Sequence, residues 1–295
     1  MIRKLEKCTV CPHNCNINRL SSEIGRCKAK DTIKIALFSI HNFEEPCISG
    51  KNGSGTIFFS NCNMNCVYCQ NYEISQLSRG KEITISELAD IFLIQQEKKV
   101  ENINLVTPTS YVPQIIEAIK IAKSKGLNIP IVYNTNGYEN VETIRMLDGY
   151  IDIYLPDLKY SDDLLGKRLS KIDNYFKIAT EAIKEMYKQV GKIEFNDEGI
   201  MRKGIIIRHL ILPNHISNSK GVLKWINDNM PEVYVSIMAQ YFPTYKATSI
   251  NDISRKVSKD EYDEIEKYLY ELNIENGYIQ DLGDCEEEYV PKWEY

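Results

Sequence analysis

The sequence predicts an α/β fold with a parallel sheet, and three observations support this prediction. Six short β-like runs alternate with longer amphipathic stretches from about residue 55 onward. Helix starts carry capping residues, and several β-like runs become polar where they end. Strands that alternate with helices imply right-handed crossovers and parallel pairing. Periodicity alone leaves open whether the sheet is doubly wound or forms a closed or partial barrel.

The predicted elements follow one another without an internal repeat or a low-complexity linker. The strand candidates are GTIFFS (55–60), NINLVTP (102–108), IPIVYNTN (129–136), IDIYLPDLK (151–159), GIIIRHLILP (204–213) and VYVSIMAQYF (233–242). The helical stretches are ISELADIFLIQQEKK (85–99), VPQIIEAIKIAKSKG (112–126), NYFKIATEAIKEMYKQV (174–190) and SKGVLKWINDNM (219–230). Their order is that of successive β/α units.

Two helix starts have the capping-box spacing, in which a Ser or Thr and a Glu three residues later cap each other's backbone N–H groups. They are Thr84 with Glu87 and Ser258 with Glu261. In the stretch 174–190, five apolar residues share one face at helical spacing. These residues are Phe176, Ala179, Ile183, Met186 and Val190. The pattern predicts a helix that buries this face.

Polar residues follow apolar ones on the same face of three predicted strands. Because side chains alternate along a strand, Asp157 and Lys159 continue the face of Ile153 and Leu155. The equivalent positions after the two preceding strands are Thr107, Thr109, Asn134 and Asn136. Ligands of parallel β/α folds bind beyond the carboxyl ends of the strands. One polar end would be ordinary, but several together indicate a ligand site.

The segment NCNMNCVYCQN (61–71) places Cys62, Cys66 and Cys69 within eight positions. Closed zinc sites and fully thiolate-ligated iron–sulfur clusters use four ligands. Three thiolates can instead hold a four-iron cluster and leave one iron open for a chelating molecule. The alternatives are zinc with a distant fourth ligand, or three unrelated buried cysteines. The first predicted strand runs directly into Cys62, so this loop should lie at the mouth of the sheet.

Composition and charge exclude several classes of protein. The net charge is −5 and no long basic run occurs, which argues against a nucleic-acid partner or an anionic membrane surface. No stretch approaches the roughly 18 apolar residues of a membrane span, and the N-terminus lacks a signal-peptide core. Nine cysteines in such a chain indicate metal chemistry in a reducing compartment. We therefore expect a cytoplasmic protein.

Four cysteines lie within the first 30 residues: Cys8, Cys11, Cys15 and Cys27. They suffice for a structural zinc site or an auxiliary iron–sulfur cluster, and the spacing suits either metal. A helix-poor segment of this length would fold poorly without a metal. His13 is a possible competing ligand, whereas Cys47 and Cys285 are expected to be buried or inert.

Cys62-x-x-x-Cys66-x-x-Cys69, with Tyr68 before the third cysteine, resembles the signature of the radical S-adenosylmethionine (radical SAM) superfamily. Longer segments resemble its PflX-like branch, the homologues of pyruvate formate-lyase activating proteins. These segments are EEPCISGKNGSGTIFFSNCNMNCVYCQNYEISQ, NINLVTPTSYVP, IPIVYNTNGYE, DIYLPDLKY, RHLILPN and MAQYFPTYKA. The resemblance implies a partial, TIM-like barrel of six β/α units at 55–250. A cysteine-rich metal-binding extension (1–54) would precede it, and a C-terminal helix and tail (251–295) would follow.

The resemblance also implies roles for residues. Cys62, Cys66 and Cys69 would bind a [4Fe–4S] cluster whose open iron takes the amino and carboxylate groups of S-adenosylmethionine. The residues implied to contact this cofactor, or placed beside it by the strand-end pattern, are Tyr68, Thr107, Thr109, Asn134, Asn136, Asp157, Lys159 and Arg208. Tyr68 would lie near the adenine, and Asp157 and Lys159 match an Asp-x-Lys that contacts ribose and carboxylate. Thr107-Pro108-Thr109 stands where many relatives carry Gly-Gly-Glu.

The implied activity is reductive cleavage of S-adenosylmethionine to a 5′-deoxyadenosyl radical, which takes hydrogen from a small molecule or peptide. Activation of a glycyl-radical enzyme is the alternative within the family. A non-catalytic iron–sulfur redox or sensor protein and a zinc-stabilised scaffold are alternatives of other classes. Candidate substrate contacts are His41, Glu44, Tyr111 and Gln240. The expected partner is an electron donor such as a flavodoxin or ferredoxin.

Overall fold

Parallel strands form the centre of a single sheet in the computed structural model, which describes residues 1–282 and Trp293. Within that part of the chain the strands are β1 (Ile33–His41), β2 (Ser54–Phe59), β3 (Lys81–Ile83), β4 (Ile103–Val106), β5 (Ile131–Thr135), β6 (Ile153–Pro156), β7 (Glu194–Phe195), β8 (Met201–Leu210), β9 (Tyr234–Met238) and β10 (Gly277–Ile279). Their spatial order is β10-β9-β8-β6-β5-β4-β2-β1-β3, with β7 beside β8.

Neighbouring strands from β2 to β10 along this order pair in parallel, and all six predicted strands are among them. β1 pairs antiparallel with β2, and β3 pairs antiparallel with β1. β3 and β10 therefore occupy the two ends of the strand order, as a partial barrel requires. The predicted fold class is confirmed. The antiparallel strand β1, in the predicted cysteine-rich extension, was not anticipated.

The helices of the described residues are α1 (Pro46–Ser49), α2 (Tyr72–Ser75), α3 (Ile85–Glu97), α4 (Val112–Ser124), α5 (Val141–Met146), α6 (Asp163–Ser170), α7 (Tyr175–Val190), α8 (Ile216–Asn229) and α9 (Lys259–Glu271). The longer ones connect the parallel strands and supply the outer layer. Thr84 and Ser258 form the predicted capping boxes at the starts of α3 and α9. In α7 the predicted apolar face is buried at Ala179, Ile183 and Met186. Among the described residues, no helix is both long and apolar enough to cross a bilayer.

Two apolar clusters pack against the sheet. The larger one lies between the strands and the helices and includes residues from the N-terminal segment, among them Leu5 and Val10. The smaller one joins Cys47 and Ile48 of α1 to inward-facing strand residues. Those strand residues are Val132, Ile153, Leu155, Met201 and Ile206. The helix α1 thus fills the interior of the partial barrel below the carboxyl ends of its strands.

The N-terminal segment docks on the start of α5. The side chain of Asn140 donates to the carbonyl of Thr9 at 2.8 Å, and that of Thr143 donates to the carbonyl of Val10 at 2.8 Å. Cys47 is buried in α1, whereas Cys285 lies outside the described residues.

A substitution at Ile48 tests how much the packing of α1 inside the barrel contributes to stability. Its side chain is fully buried, and its carbonyl accepts from Asn102 Nδ2 at 2.8 Å. Ile48→Ala should lower the free energy of unfolding by about 2–5 kcal/mol because it removes buried apolar area and leaves a cavity. Urea denaturation measures the change. Ile24→Ala, at an exposed site, should change it by less than about 0.5 kcal/mol. Equal effects of the two substitutions would contradict the role given to α1.

Candidate active site

A cavity of about 550 Å³ opens at the carboxyl ends of the parallel strands. Its volume is within the range of small-molecule sites, and its position is the one that β/α folds use for ligands. The predicted residues that line it are Cys62, Cys66, Cys69, Tyr68, Thr107, Asn134, Asn136, Asp157, Lys159, Arg208, His41, Glu44 and Gln240. The structure thus brings the three-cysteine loop and the polar strand ends together.

The loop that carries the cysteines is held from several sides. β2 ends at Phe59, and the chain turns at Asn61, whose φ is 72°. The backbone N–H groups of Asn65 and Val67 donate to the carbonyls of Ser170 and Leu169, at 3.0 and 2.8 Å. The end of α6 therefore fixes the middle of the loop.

Each of the three sulfurs has a polar hydrogen-bond partner of its own. The contacts are Asn136 Nδ2 to Cys62 Sγ at 3.4 Å, Ser170 Oγ to Cys66 Sγ at 3.0 Å, and Ser75 Oγ to Cys69 Sγ at 3.2 Å. Hydrogen bonds to cysteine sulfur are a main way in which proteins tune iron–sulfur clusters. Three thiols with separate donors, facing one cavity, fit the chemistry of a cluster with an open iron. Ser170 and Ser75 were not predicted, because nothing in the sequence pairs them with the cysteines.

Burial raises the pKa of all three thiols, to about 11 at Cys66. The proximity of Cys66 raises the pKa of the Cys62 thiol further, whereas Lys159 partly offsets the rise in the pKa of Cys66. Without a metal these groups are therefore neutral at physiological pH. Metal ligation requires the thiolate, so cluster binding would release protons from this loop.

Charged side chains form a network beside the cysteines. The guanidinium of Arg208 donates through Nε to Asp157 Oδ1 and through Nη1 to Glu44 Oε2, both at 3.1 Å, and also contacts Asn134. Lys159 Nζ donates to Asp157 Oδ2 at 2.7 Å. Burial alone would raise the pKa of Asp157, but Lys159 and Arg208 hold it below its usual value. Asp157 is thus ionised between two cations.

The loop after β1 supplies carboxylates to the same network. Glu44 lines the cavity, and its Oε1 accepts from Asn104 Nδ2 at 2.9 Å. Glu45 is buried next to it, and burial raises the pKa of its carboxyl group. Asn104 was not predicted as a site residue. A polar side chain within an otherwise apolar strand was the available signal.

Tyr68, which lies in the cysteine loop, is buried, and its hydroxyl group belongs to a chain of hydrogen-bonded hydroxyls. Its Oη lies 2.6 Å from Tyr160 Oη, which lies 2.6 Å from Ser170 Oγ. Because Ser170 also contacts Cys66, the chain of hydroxyls ties the predicted adenine neighbour to a predicted cluster ligand. Substitution of any member would disturb both.

The structure does not bring Thr109 and Tyr111 into the cavity. Thr107 has a φ of 59°, and a 3₁₀ turn over Thr109–Tyr111 follows, so strand alternation ends there. Thr109 Oγ1 donates to Glu139 Oε1 at 2.6 Å. Tyr111 is fully buried and accepts from Asn61 Nδ2 at 2.8 Å. Tyr111 thus supports the cysteine loop at Asn61, whereas Thr109 is bonded to the segment that follows β5.

The N-terminal cysteines remain in their own segment. Cys8, Cys11 and Cys27 are buried, and Cys15 is half-buried. Burial, and after it the proximity of Cys27, raises the pKa of the Cys11 thiol above its usual range. The segment contacts the cysteine loop through His13, whose Nε2 lies 2.7 Å from the carbonyl oxygen of Asn63.

Comparison with known proteins points in the same direction. Residues 56–197 match the family model of the Radical SAM superfamily. An uncharacterised protein of Methanocaldococcus jannaschii is 35% identical over 274 residues, which cover 90% of this chain and 73% of that protein. The pyruvate formate-lyase-activating enzyme of Clostridium pasteurianum is 25% identical over 253 residues, which cover 79% of this chain and 97% of that protein.

The fold is shared with solved structures. The FeFe-hydrogenase maturase HydG of Carboxydothermus hydrogenoformans superposes with a TM-score of 0.53 at 15% identity, over 78% of this chain and 54% of that one. The chain spans about half the length of several such structures. At this identity the likeness concerns the fold.

Glu139 generates a prediction on pH. It is buried and accepts from the hydroxyls of Thr109, Tyr133 and Thr135, and burial raises its pKa to about 7. Because the folded state holds this proton more tightly than the unfolded state, the contribution of Glu139 to stability should be greatest below pH 4.5 and should be lost as pH rises through 7. The total loss should be about 3 kcal/mol.

Urea denaturation of the wild type and Glu139→Gln from pH 4.5 to 8 measures this effect. The variant should lack the fall, while Glu142→Gln, at an exposed position, should retain it. Curves for the wild type and Glu139→Gln that stay parallel over this range would show that Glu139 does not titrate there.

Proposed function

The chain belongs to the radical SAM superfamily, and we propose that it uses the cavity at its strand ends to take a hydrogen atom from a small molecule or peptide. It is an enzyme of the radical SAM class, which uses a [4Fe–4S] cluster and S-adenosylmethionine. When bound, the two together supply a 5′-deoxyadenosyl radical by reductive cleavage of the sulfonium, with an electron from a donor such as a flavodoxin or ferredoxin. The observation that carries the proposal is the shared cavity of three hydrogen-bonded thiols and charged strand ends.

Cys62, Cys66 and Cys69 would hold the cluster. They come from one short loop, and their donors come from three other parts of the chain, at Ser75, Asn136 and Ser170. These contacts fix the sulfurs and stabilise negative charge on them. Three ligands leave the fourth iron available to the amino-acid end of the cofactor.

Lys159 would pair with the carboxylate of S-adenosylmethionine. Its ammonium has three N–H donors, and its ion pair with Asp157 uses one of them. The guanidinium of Arg208 is already shared among Glu44, Asp157 and Asn134. We therefore assign carboxylate binding to Lys159 and assign to Arg208 the positioning of Asp157 and Glu44. Asp157 Oδ2 would remain an acceptor for a ribose hydroxyl.

The remaining wall of the cavity would receive the substrate. His41, Glu44 and Gln240 line it, and Phe43 beside them is 65% exposed at its edge. A cavity of about 550 Å³ that must also hold the cofactor suits a small molecule or a single residue of a peptide. This is why a small substrate is favoured over a folded protein.

Activation of a glycyl-radical enzyme is the second candidate. It is supported by the 25% identity to a pyruvate formate-lyase-activating enzyme along 97% of that protein. That relationship covers 79% of this chain but does not identify a substrate.

Deuterium transfer separates the two candidates. Reconstituted protein is incubated anaerobically with S-adenosylmethionine, a reductant and an extract of its source cells grown in heavy water. The proposal expects 5′-deoxyadenosine that carries deuterium from the low-molecular-mass fraction. Label from the protein fraction alone, with a glycyl radical in the electron paramagnetic resonance spectrum, would establish activation instead. No 5′-deoxyadenosine under any condition would exclude both.

Lys159→Met tests the cofactor contact. The substitution should weaken S-adenosylmethionine binding about 10- to 100-fold, because a hydrogen bond with one charged partner is lost. Iron content should stay unchanged, since Asp157 keeps its contact with Arg208. Lys267→Met, at an exposed position, is the matched control. If Lys159→Met bound the cofactor normally but unfolded at lower urea, the lysine would be structural.

A further inference from the structure

Arg19 in the N-terminal segment is a buried cation that is surrounded by neutral acceptors. Its side chain is 1% exposed. Its guanidinium donates to the carbonyls of Lys30 and Ser110, the latter at 2.7 Å, and lies 5.9 Å from the ring centre of Tyr111. No carboxylate of residues 1–282 forms an ion pair with it. Burial of a charge without a counter-ion costs several kcal/mol, so this site calls for negative charge nearby.

A cysteine beside the guanidinium is able to supply that charge. Arg19 Nη1 lies 4.0 Å from Cys8 Sγ, in the segment that also carries Cys11, Cys15 and Cys27. A neutral thiol does not balance a guanidinium, whereas metal-bound thiolates do. We infer that Cys8, Cys11, Cys15 and Cys27 form a second, four-thiolate metal centre for which Arg19 is the counter-ion. This inference goes beyond the proposed function and does not depend on it.

The backbone brings the four cysteines toward each other through two turns. Cys8 and Ile17 are joined by a backbone hydrogen bond, as are Asn16 and Cys8, which closes the first turn. In the second turn, Lys28 N–H donates to the carbonyl of Gly25. The turns meet at Cys15, whose sulfur accepts from the N–H of Arg26 at 3.5 Å.

Gly25 shows how closely the second turn approaches that sulfur. A Cβ at this position would lie 3.0 Å from Cys15 Sγ, so a larger residue would displace the turn. No three Cys, His, Asp or Glu side chains of the described residues yet enclose a point for one metal ion. Metal binding would therefore rotate the cysteine side chains inward on a backbone that is already in place. Each thiol would release its proton as the metal binds.

The proposed centre is joined to the active-site loop. His13, two residues after Cys11, contacts the carbonyl of Asn63, which directly follows Cys62. The Asn63 side chain accepts from Asn136 Nδ2 at 2.8 Å, and Asn136 also donates to Cys62 Sγ. Three hydrogen bonds thus connect the N-terminal segment to the first predicted cluster ligand.

Four thiolates suit either a zinc ion or a four-iron cluster, and metal analysis separates these two. The full chain with Cys62, Cys66 and Cys69 replaced by alanine lacks the active-site cluster, so any metal that it retains belongs to the second centre. We expect about one zinc or about four iron per chain. Further replacement of Cys8 and Cys11 by alanine should abolish it. Substoichiometric metal in the variant without Cys62, Cys66 and Cys69 (the triple variant), after reconstitution with either metal, would overturn the inference.

Arg19→Met then tests the counter-ion. Metal in the triple variant should be lost to a chelator at about 10- to 100-fold lower chelator concentration when Arg19 is replaced, because charge pairing is removed. Arg19→Lys should restore part of the retention, and Arg3→Met, at an exposed position, should leave it unchanged.

Stability provides the readout that separates a counter-ion from a packing residue. In the metal-loaded chain Arg19→Met should lower the urea midpoint, whereas in the chelator-treated chain it should leave the midpoint unchanged or raise it, since a buried unpaired charge is gone. An equal fall in both states would show that Arg19 only packs. If Arg19→Met fails to fold, the chelator resistance of Arg19→Lys decides the question. If Arg19→Lys lost as much metal as the variant without Cys8 and Cys11, the role of charge would be overturned.

Discussion

The ion pairs of Arg208 are the interaction on which the rest of the cavity depends. One guanidinium on β8 reaches Glu44 after β1, Asp157 at the end of β6 and Asn134 on β5. Without it, Glu44 and Asp157 would lose the cation that they share, and only Asp157 would keep another one, at Lys159. With it, Asp157 stays ionised and can hold Lys159 toward the cavity. The network therefore sets both the shape and the charge of the site.

This network is possible because the inward faces of the parallel strands change from apolar to polar toward their carboxyl ends. Val132 and Leu155 belong to the interior cluster with α1, and Asn134 and Asp157 follow two residues later on the same faces. Register brings Asp157 beside Arg208, with which it forms a bridge, and places Asn134 one step lower, beside Leu155. The buried apolar residues and the charged residues are thus successive parts of one strand pattern. The helix α1 covers the apolar part and excludes water from it.

Much of this could be predicted from the sequence, because period-two alternation and the spacing of the three cysteines are local signals. The failures have physical reasons. The face of β4 that carries Asn104 and Val106 points toward Glu44 and the cavity, but both faces of β4 carry apolar residues, so alternation does not tell which face is inward. The positive φ at Thr107 ends the alternation and turns Thr109 toward Glu139. Such a backbone turn leaves no mark in the pattern of apolar residues.

Two of the donors to the cysteine sulfurs could not be paired with them from the sequence because they lie far from the cysteines along the chain. Ser170 lies 104 residues from Cys66 and Asn136 lies 74 residues from Cys62. The tertiary fold of successive β/α units brings them together. Their arrangement also explains why the loop can be short and still ordered: α6 fixes its middle through two backbone bonds, and the N-terminal segment fixes Asn63. The entropy of ordering the loop is then lost on folding, so a cluster that binds there need not overcome it.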